Sequence, residues 1–262
     1  MRLVAVMDVD LSAAVVLASA EAADRLGVPE DQRIHLRGWA YATDPVYVAE
    51  HDELWRSPAM AWAFSQALAA AGATLDDVEL ADLYSCFPSS VLFALDALGI
   101  GADHRLAPFT VTGGLPYAGG AGSNYLLSSV ATLADRLRDG TGSTGLVSGV
   151  GMHLTKHAVA VLGTEPGEVR PAPPDPGPVT RRPIIDVHHG PATIAAYTVH
   201  HGRDGQPTDA VLVCDVGDRS EGTRCYAAAR DRELLAALES EERVGHAVEL
   251  VDGGDGVNLV KP

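Results

Sequence analysis

The sequence has few cysteines, and their scarcity argues against two kinds of structural staple. Its three cysteines are Cys86, Cys214 and Cys225, an odd number at no metal-like spacing. Neither a disulfide framework nor a cysteine-rich zinc site is therefore expected, and no metal site is predicted. Free thiols are typical of a reducing compartment, so the default expectation is a cytoplasmic location.

Long hydrophobic runs are also lacking. No stretch reaches the roughly 20 apolar residues that a membrane-spanning helix needs. Residues 1–24 are apolar, but Asp8 and Asp10 interrupt them, and no cationic region precedes a long apolar core. The start of the chain is therefore not typical of a signal peptide, and no membrane partner is expected.

Positive charge is scarce. The 19 Lys and Arg residues are outnumbered by 35 Asp and Glu residues, which gives a net charge of −16. Such a field repels phosphate backbones and anionic lipids, which argues against a general nucleic-acid or membrane-surface role. A small anionic ligand in a local basic pocket is compatible with it. The chain has only two lysines, Lys156 and Lys261. Lys156 lies in the interior of the chain, so it is a candidate contact for such a ligand.

Six prolines between residues 166 and 178 predict an extended linker that divides the chain. Before this linker, strand and helix signals alternate. The predicted elements are strands at 33–41, 79–85, 145–150 and 157–162, and helices at 58–71, 88–98 and 123–138. Residues 5–20 could add one more strand and helix. This order of elements predicts a layered α/β domain.

The part after the linker has a different pattern. Three strand signals, at 192–201, 208–216 and 223–229, are separated by turns rich in glycine and aspartate. A helix at 230–242 follows, and then two further strands. Five strands with one inserted helix predict a small barrel of the oligomer-binding (OB) type.

Three places carry residues suited to chemistry. Cys86 ends a predicted strand just before a helix, where the helix N-terminus favours a thiolate; the alternative is a buried structural cysteine. Residues 113–124 hold five glycines before a helix, which predicts a ligand or catalytic loop rather than a flexible surface loop. Residues 153–157 bring His153, Lys156 and His157 together, either for proton transfer and anion binding or as a solvated turn.

Other suggestive motifs are better explained structurally. Residues 140–145 match G-x-G-x-x-G, but they follow a helix and open a strand, which is the reverse of the dinucleotide-binding order, so a turn is predicted. The pairs at 188–189 and 200–201 are adjacent histidines, which point to opposite faces of a strand and do not easily bind one ion.

These segments, in this order, resemble the C-terminal half of the thiolase family. ADLYSCFPSSV (81–91) is similar to the strand-turn-helix that carries Asn-Glu-Ala-Phe in thiolases or His-Asp-Cys-Phe in the sterol-carrier type. TGGLPYAGGAGSNY resembles the Gly-Gly…Gly-His-Pro loop, and GLVSGVGMHLTKHAVAVLG resembles the final Cys-x-Gly-x-Gly strand pair. Residues 7–28 resemble the closing piece of the N-terminal half. The best match is the subgroup of thiolase-like proteins type 1, which carry an additional C-terminal domain.

The resemblance implies the C-terminal half of a thiolase fold, a layered α/β/α arrangement, followed by a small all-β OB-like barrel. The implied domains are the end of the N-terminal thiolase half (1–29), a C-terminal-type thiolase domain (30–165), the proline-rich linker (166–179) and the OB-like additional domain (180–262).

The resemblance also implies an activity in lipid metabolism. The subgroup is often labelled acetyl-CoA acetyltransferase, so the expected function is an acyl-CoA acyltransferase that makes or breaks carbon–carbon bonds in CoA thioesters. Coenzyme A thioester would be the substrate, with no covalently bound cofactor. The candidate catalytic residues are Cys86, His153 and His157. The candidate CoA contacts are Gly113, Gly114, Gly119, Gly120, Asn124 and Lys156.

Two positions depart from the thiolase pattern. The loop histidine that activates the acyl-accepting cysteine falls on Gly120, and the second catalytic cysteine falls near Val147 or Ser148. The nucleophilic cysteine of thiolases belongs to the N-terminal half. The chain is therefore expected to be a fragment, an internally initiated product or a subunit that needs a partner, and to form an oligomer.

Two alternatives to the acyltransferase stay open. One is a non-catalytic thiolase-like protein that binds CoA or acyl-CoA, which Gly120 favours because glycine cannot move a proton. The other is a partner-dependent acyl-CoA retro-aldolase subunit, in which the barrel recruits a partner protein.

Overall fold

The computed structural model describes residues 3–101, 109–120, 122–168, 170, 173–175, 177, 180–217 and 222–261. Its contacts divide the chain into two compact units, Met1–Asp44 with Trp55–Pro178 and Pro45–Leu54 with Val179–Pro262. The second unit thus holds a short segment from the first half of the chain, which the sequence did not predict. Much of the predicted linker lies outside the described residues, and the predicted domain boundaries stay predictions.

The first unit is built on a four-stranded sheet in the order β1-β4-β3-β2. The strands are β1 (His35–Thr43), β2 (Leu80–Asp82), β3 (Thr144–Gly151) and β4 (Lys156–Gly163). β4 pairs antiparallel with β1 and β3, while β2 pairs parallel with β3. Because β2 and β3 run the same way, their carboxyl ends meet at one edge of the sheet.

The described part of this unit contains five α-helices. They are α1 (Ala20–Arg25), α2 (Pro58–Ala71), α3 (Pro88–Ala97), α4 (Leu115–Ala118) and α5 (Tyr125–Arg138). α2 has the predicted ends: the Ser57 hydroxyl accepts the Met60 N–H at 2.9 Å, and Gly72 takes φ 65° at the C-terminal cap. No helix in the described ranges is long and apolar enough to cross a membrane.

Helices cover both faces of the sheet. α2 and α3 pack on the face that holds Leu146 and Val161, whereas Leu133 and Leu137 of α5 pack on the face that holds Val147. Neighbouring residues of β3 therefore serve opposite cores, as strand alternation requires. The predicted layered α/β/α fold is confirmed.

The expected strand and helix at residues 5–20 are wrong. Ser19 caps α1, so the helix begins only at Ala20, and the preceding residues are in neither helix nor strand. This segment instead runs beside the glycine-rich loop. The Ala5 N–H donates to the Cys86 carbonyl at 3.0 Å, and the Gly120 N–H donates to the Val6 carbonyl at 2.8 Å.

The second unit contains a closed barrel in the order β5-β6-β7-β9-β8. Its elements are β5 (Gly190–His201), β6 (Pro207–Val216), β7 (Thr223–Ala229), α6 (Arg232–Ser240), β8 (Ala247–Asp252) and β9 (Asn258–Val260). The barrel closes through antiparallel pairing of β5 with β8, and β7 pairs parallel with β9. A closed five-stranded barrel with a helix between its third and fourth strands confirms the predicted OB-like fold.

Asp82 connects three parts of the first unit. Its side chain is 0% exposed at the end of β2. One carboxylate oxygen accepts N–H groups of Val111 and Thr112 at 2.9 and 3.1 Å. The other accepts the hydroxyls of Tyr125 and Ser129, both at 2.7 Å. This carboxylate therefore joins the end of β2 to the loop before α4 and to the first turns of α5.

Replacing Asp82 by Asn should destabilise the protein. An amide keeps one acceptor oxygen and turns its NH2 group toward neighbouring donors, which leaves buried groups unsatisfied. We expect a loss of about 3 kcal/mol or more in the free energy of unfolding, measured by urea denaturation of the full chain. Asp31→Asn, at an exposed position, is the control and should change it by less than about 0.5 kcal/mol. Equal losses in the two variants would contradict the role given to Asp82.

Candidate functional site

A cleft of about 640 Å³ lies at the edge where β2 and β3 end. The cleft is lined by the turn after β2, the first residues of α3 and α5, and the turn between β3 and β4. Its lining residues include Tyr84, Cys86, Ser123, Met152, His153 and Lys156. The carboxyl ends of parallel strands and the N-termini of helices are common places for ligands, because helix N-termini present unpaired N–H groups.

Cys86 lies half-buried in this cleft, two residues before α3 begins. The sequence predicted this position for it. The Tyr84 side chain hydrogen-bonds the Cys86 thiol, and the Tyr84 ring packs edge-on against Tyr125 with centroids 5.8 Å apart. Burial, the nearby Cys86 charge and their hydrogen bond raise the pKa of Tyr84. Tyr84 therefore stays protonated at neutral pH and can donate to the sulfur.

Tyr84 was missed as a site residue, although it stands within the quoted motif at 81–91. Its neighbour Tyr125 owes its position to Asp82, whose carboxylate accepts the Tyr125 hydroxyl. Burial, followed by the Asp82 charge, raises the pKa of Tyr125, so this hydroxyl also stays protonated. The sequence did offer a signal for both tyrosines. Tyr84 lies at the predicted strand end near Cys86, and Tyr125 lies at the start of the predicted helix α5.

The turn between β3 and β4 brings His153 and Lys156 to the cleft, where both side chains are exposed. The residues on either side of His153 are strained. Met152 has φ 56° and Leu154 has φ 63°, in the left-handed region that larger side chains rarely occupy. Leu154 packs against the core of the first unit, which holds the turn in this conformation. Strain of this kind is common where a turn must present a side chain.

His157 lies apart from the cleft. Its side chain is 1% exposed, and its Nε2 lies 2.9 Å from an Asp44 carboxylate oxygen and 3.1 Å from the Ser57 hydroxyl. Because Lys156 and His157 are neighbours on β4, one faces the cleft and the other faces α2. Burial would raise the pKa of Asp44, but hydrogen bonds from His157 and Ser57 outweigh it, and the pKa is lowered. The geometry gives His157 a structural contact, and its catalytic role stays a prediction.

The predicted CoA-binding glycines pack against the chain itself. A Cβ on Gly114 would lie 2.7 Å from the Ser85 hydroxyl, one on Gly119 2.7 Å from Val9, and one on Gly120 2.8 Å from Leu115. Gly113 takes φ 92° within the same loop. These distances explain the glycines by close approach of neighbouring backbone and side chains.

Asn124, the remaining predicted CoA contact of this segment, donates from its amide to the Leu11 carbonyl at 2.8 Å. The residues of the segment that do line the cleft are Gly122 and Ser123, followed by Tyr125 and Leu126 of α5. Ala121 lies outside the described residues. The glycine-rich segment thus reaches the cleft at the start of α5 rather than at the predicted glycines.

The glycine motif at 140–145 and the histidine pair at 200–201 have structural roles. Residues 140–145 connect α5 to β3, as predicted for a turn. His200 lies 3.0 Å from Asp209, and His201 lies 2.5 Å from Glu239, so the two neighbours pair with different carboxylates. Across the ranges that the structure describes, no group of three His, Cys, Asp or Glu residues is arranged to hold a metal ion.

Comparison with known proteins places these features in a family. Residues 176–255 match the family model described as the thiolase-like protein type 1 additional C-terminal domain. The solved structure of a monomeric SCP2-thiolase like protein type 1 from Mycobacterium smegmatis is 32% identical, with a TM-score of 0.83 over 93% of this chain. The chain belongs to the thiolase-like protein type 1 family. It spans 54% of the length of that relative.

Human mitochondrial 3-ketoacyl-CoA thiolase is a more distant match, at 18% identity and a TM-score of 0.43, covering 56% of this chain and 34% of that one. A search of curated protein sequences gives no match. The fold of this thiolase-like protein type 1 is therefore supported by its barrel and by the mycobacterial relative.

The three cysteines of this thiolase-like chain differ sharply in their surroundings. Cys214 and Cys225 are 0% exposed inside the barrel. Burial, together with the nearby Cys225 and Asp215 charges, raises the pKa of Cys214 to about 12, and burial raises the pKa of Cys225 to about 11. Cys86, by contrast, opens onto the cleft beside the N-terminus of α3.

We expect iodoacetamide to alkylate Cys86 well before the other two cysteines in the folded chain at neutral pH. The thiolate is the reacting form, and buried thiols with raised pKa values hold little of it. Peptide mass spectrometry should show labelling at Cys86 more than about tenfold faster than at Cys214 or Cys225. Cys86→Ser should abolish the fast phase. Comparable rates at the three positions would contradict this account of the cleft.

Proposed function

We propose that this chain contributes the C-terminal half of a thiolase-type site that acts on acyl-CoA thioesters. The observation that carries the proposal is the convergence of Cys86, His153 and Lys156 on one cleft at the N-terminus of α3. It combines a thiol, an imidazole and a cation at the place where thiolase-like folds carry their motifs. The proposal covers an acyl-CoA acyltransferase that makes or breaks a carbon–carbon bond.

The electrostatics of the cleft suit an anionic thioester. Although the chain carries a net charge of −16, Lys156 lines the cleft. Ser89 and Ser90 at the start of α3 line it too, so the partial positive charge of that helix terminus faces the same space. The cleft would therefore attract an anionic ligand, although the net negative charge of the chain repels anions elsewhere.

The chemistry assigned to Cys86 is proton transfer at the carbon next to the thioester carbonyl. A Cys86 thiolate takes the proton, so that a C–H bond breaks, an S–H bond forms and the electron pair stays on the substrate as an enolate. Tyr84 supports this role because its phenol donates to the sulfur. His153, which also lines the cleft, is the second candidate proton carrier.

Lys156→Ala should weaken binding of acetyl-CoA to the chain. The substitution removes the ammonium from the cleft and leaves the β4 backbone in place. We expect the dissociation constant, measured by calorimetry at low salt, to rise about tenfold, the usual scale for a lost charged contact. Lys261→Ala is the matched control, since the other lysine lies after the last barrel strand, and it should leave the affinity unchanged. Equal affinities in the two variants would remove Lys156 from the site.

A second candidate function is a CoA-binding protein without chemistry. The observation that favours it is the surroundings of Gly120, where a Cβ would lie 2.8 Å from Leu115 and 3.4 Å from Ala5. A side chain at this position would require Leu115 to shift, and glycine itself cannot move a proton, so residue 120 does not supply the proton transfer of the thiolase histidine. The partner-dependent retro-aldolase shares the same cleft and stays a prediction.

Deuterium exchange separates the two candidates. If Cys86 moves the α-proton, the chain should incorporate deuterium from D2O into the acetyl group of acetyl-CoA, and Cys86→Ala should reduce that rate at least about a hundredfold. Mass spectrometry of the recovered thioester gives the rate, and calorimetry checks that the variant still binds. Binding of acetyl-CoA without exchange in the unaltered chain would favour the non-catalytic protein.

A further inference from the structure

Part of the outer face of β6 and β7, around Val213, Arg224 and Tyr226, contacts the chain's own residues 45–54. In OB folds, the second and third strands and the neighbouring loops bind oligonucleotides and oligosaccharides. β6 and β7 are the second and third strands of this barrel. The segment 45–54 connects β1 to α2 in sequence, yet its contacts group it with the barrel. The segment therefore occupies part of the face that OB folds use for ligands.

Apolar packing fixes the middle of the segment. Ala49 is 0% exposed and packs with Ala195 of β5 and Val213 of β6. Leu54 packs against the same cluster. Because Ala49 is fully buried in this cluster, a much larger side chain would displace its neighbours, so the contact selects a small side chain at position 49.

Side chains of β7 bind the main chain of the segment. Arg224 is 4% exposed and is held by Asp215, whose carboxylate accepts its Nε at 2.7 Å. Its Nη atoms donate to the carbonyls of Ala49 and Asp52 at 3.4 and 3.1 Å, and also to the His51 carbonyl. One buried guanidinium therefore binds three backbone carbonyls of the segment without using the segment's side chains.

Tyr226 completes the contact from β7, because its hydroxyl accepts the Ala49 N–H at 3.1 Å. At the edge of the segment, the Arg182 N–H donates to the Glu50 carbonyl at 2.9 Å, and its guanidinium lies 2.8 Å from the Asp52 carboxylate. Arg181 lies 3.8 Å from Glu50. The segment carries acidic side chains, and the surface that binds it carries arginines.

We propose that the β6–β7 face of the barrel is a peptide-binding site whose ligand is the acidic segment 45–54 of the same chain. This face provides a buried arginine for carbonyl groups, a phenol for an N–H group, a small apolar pocket and arginines at its edge. Together these groups form a complete site for an extended acidic peptide. Attachment to the same chain gives this peptide a high effective concentration. The additional C-terminal domain thereby holds the connection between β1 and α2.

A peptide-binding experiment on the full chain tests this site. Ala49→Arg places a large charged side chain in the apolar pocket and should expel the segment while leaving Arg224 and Tyr226 intact. The labelled peptide PVYVAEHDEL, residues 45–54, should then bind this variant at least about tenfold more tightly than the unaltered chain, whose site is filled. The same peptide carrying Arg in place of its Ala should not bind, and adding Arg224→Met to the Ala49→Arg chain should weaken binding at least tenfold.

A folded Ala49→Arg chain that binds no peptide at about 1 mM, the range of effective concentration in the intact chain, would overturn the proposal. Hydrogen exchange decides the case in which this variant does not fold. In the otherwise unaltered chain, Arg224→Met should speed exchange of the Ala49 amide at least about tenfold, whereas Arg203→Met at an exposed hairpin position should not. Equal exchange rates of the Ala49 amide in Arg224→Met and Arg203→Met would also overturn the proposal.

Discussion

The candidate site depends on one buried carboxylate. Asp82 sits at the end of the short strand β2, and neutral donors from the loop before α4 and from α5 surround it. The Tyr125 hydroxyl donates to Asp82, which fixes the position of the Tyr125 ring. Tyr84 packs edge-on against that ring and hydrogen-bonds Cys86. A charged acceptor that is fully enclosed tolerates little displacement of its donors, because each lost bond leaves a desolvated group unpaired. The back wall of the cleft is therefore rigid.

The glycine-rich loop shows how one pattern fits two physical causes. Glycines allow close approach of a ligand, but they equally allow close approach of the chain's own segments. Gly119 and Gly120 lie against Val9 and Leu115, so the loop is shaped by residues 5–11 and by α4. Sequence pattern cannot separate these causes, since Val9, which Gly119 contacts, is far away in the sequence. The structure brings Gly122 and Ser123 of this segment to the cleft, and CoA binding by the predicted glycines stays a prediction.

Local signals predicted the parts of the fold that local physics determines. Ser57 and Gly72 gave both ends of α2, and alternating apolar residues with glycine turns gave the barrel. The failures involve distant partners: residues 5–20 follow a loop instead of forming their own elements, and 45–54 leave the first unit for the barrel. His157 is a separate case: its place beside Lys156 on a strand already required the two side chains to face opposite sides, and its catalytic role stays a prediction.

The arginines of the second unit and Lys156 of the first unit differ in how their charge is compensated. Arg224 is occupied by Asp215 and by carbonyls of the segment 45–54, and Arg182 is occupied by Asp52. These arginines are neutralised where they stand, so they contribute little field at a distance. Lys156 has no such acidic partner among the contacts of the described cleft, and the α3 terminus adds to it. In a chain with a net charge of −16, a locally positive cleft can attract an anion that the rest of the surface repels.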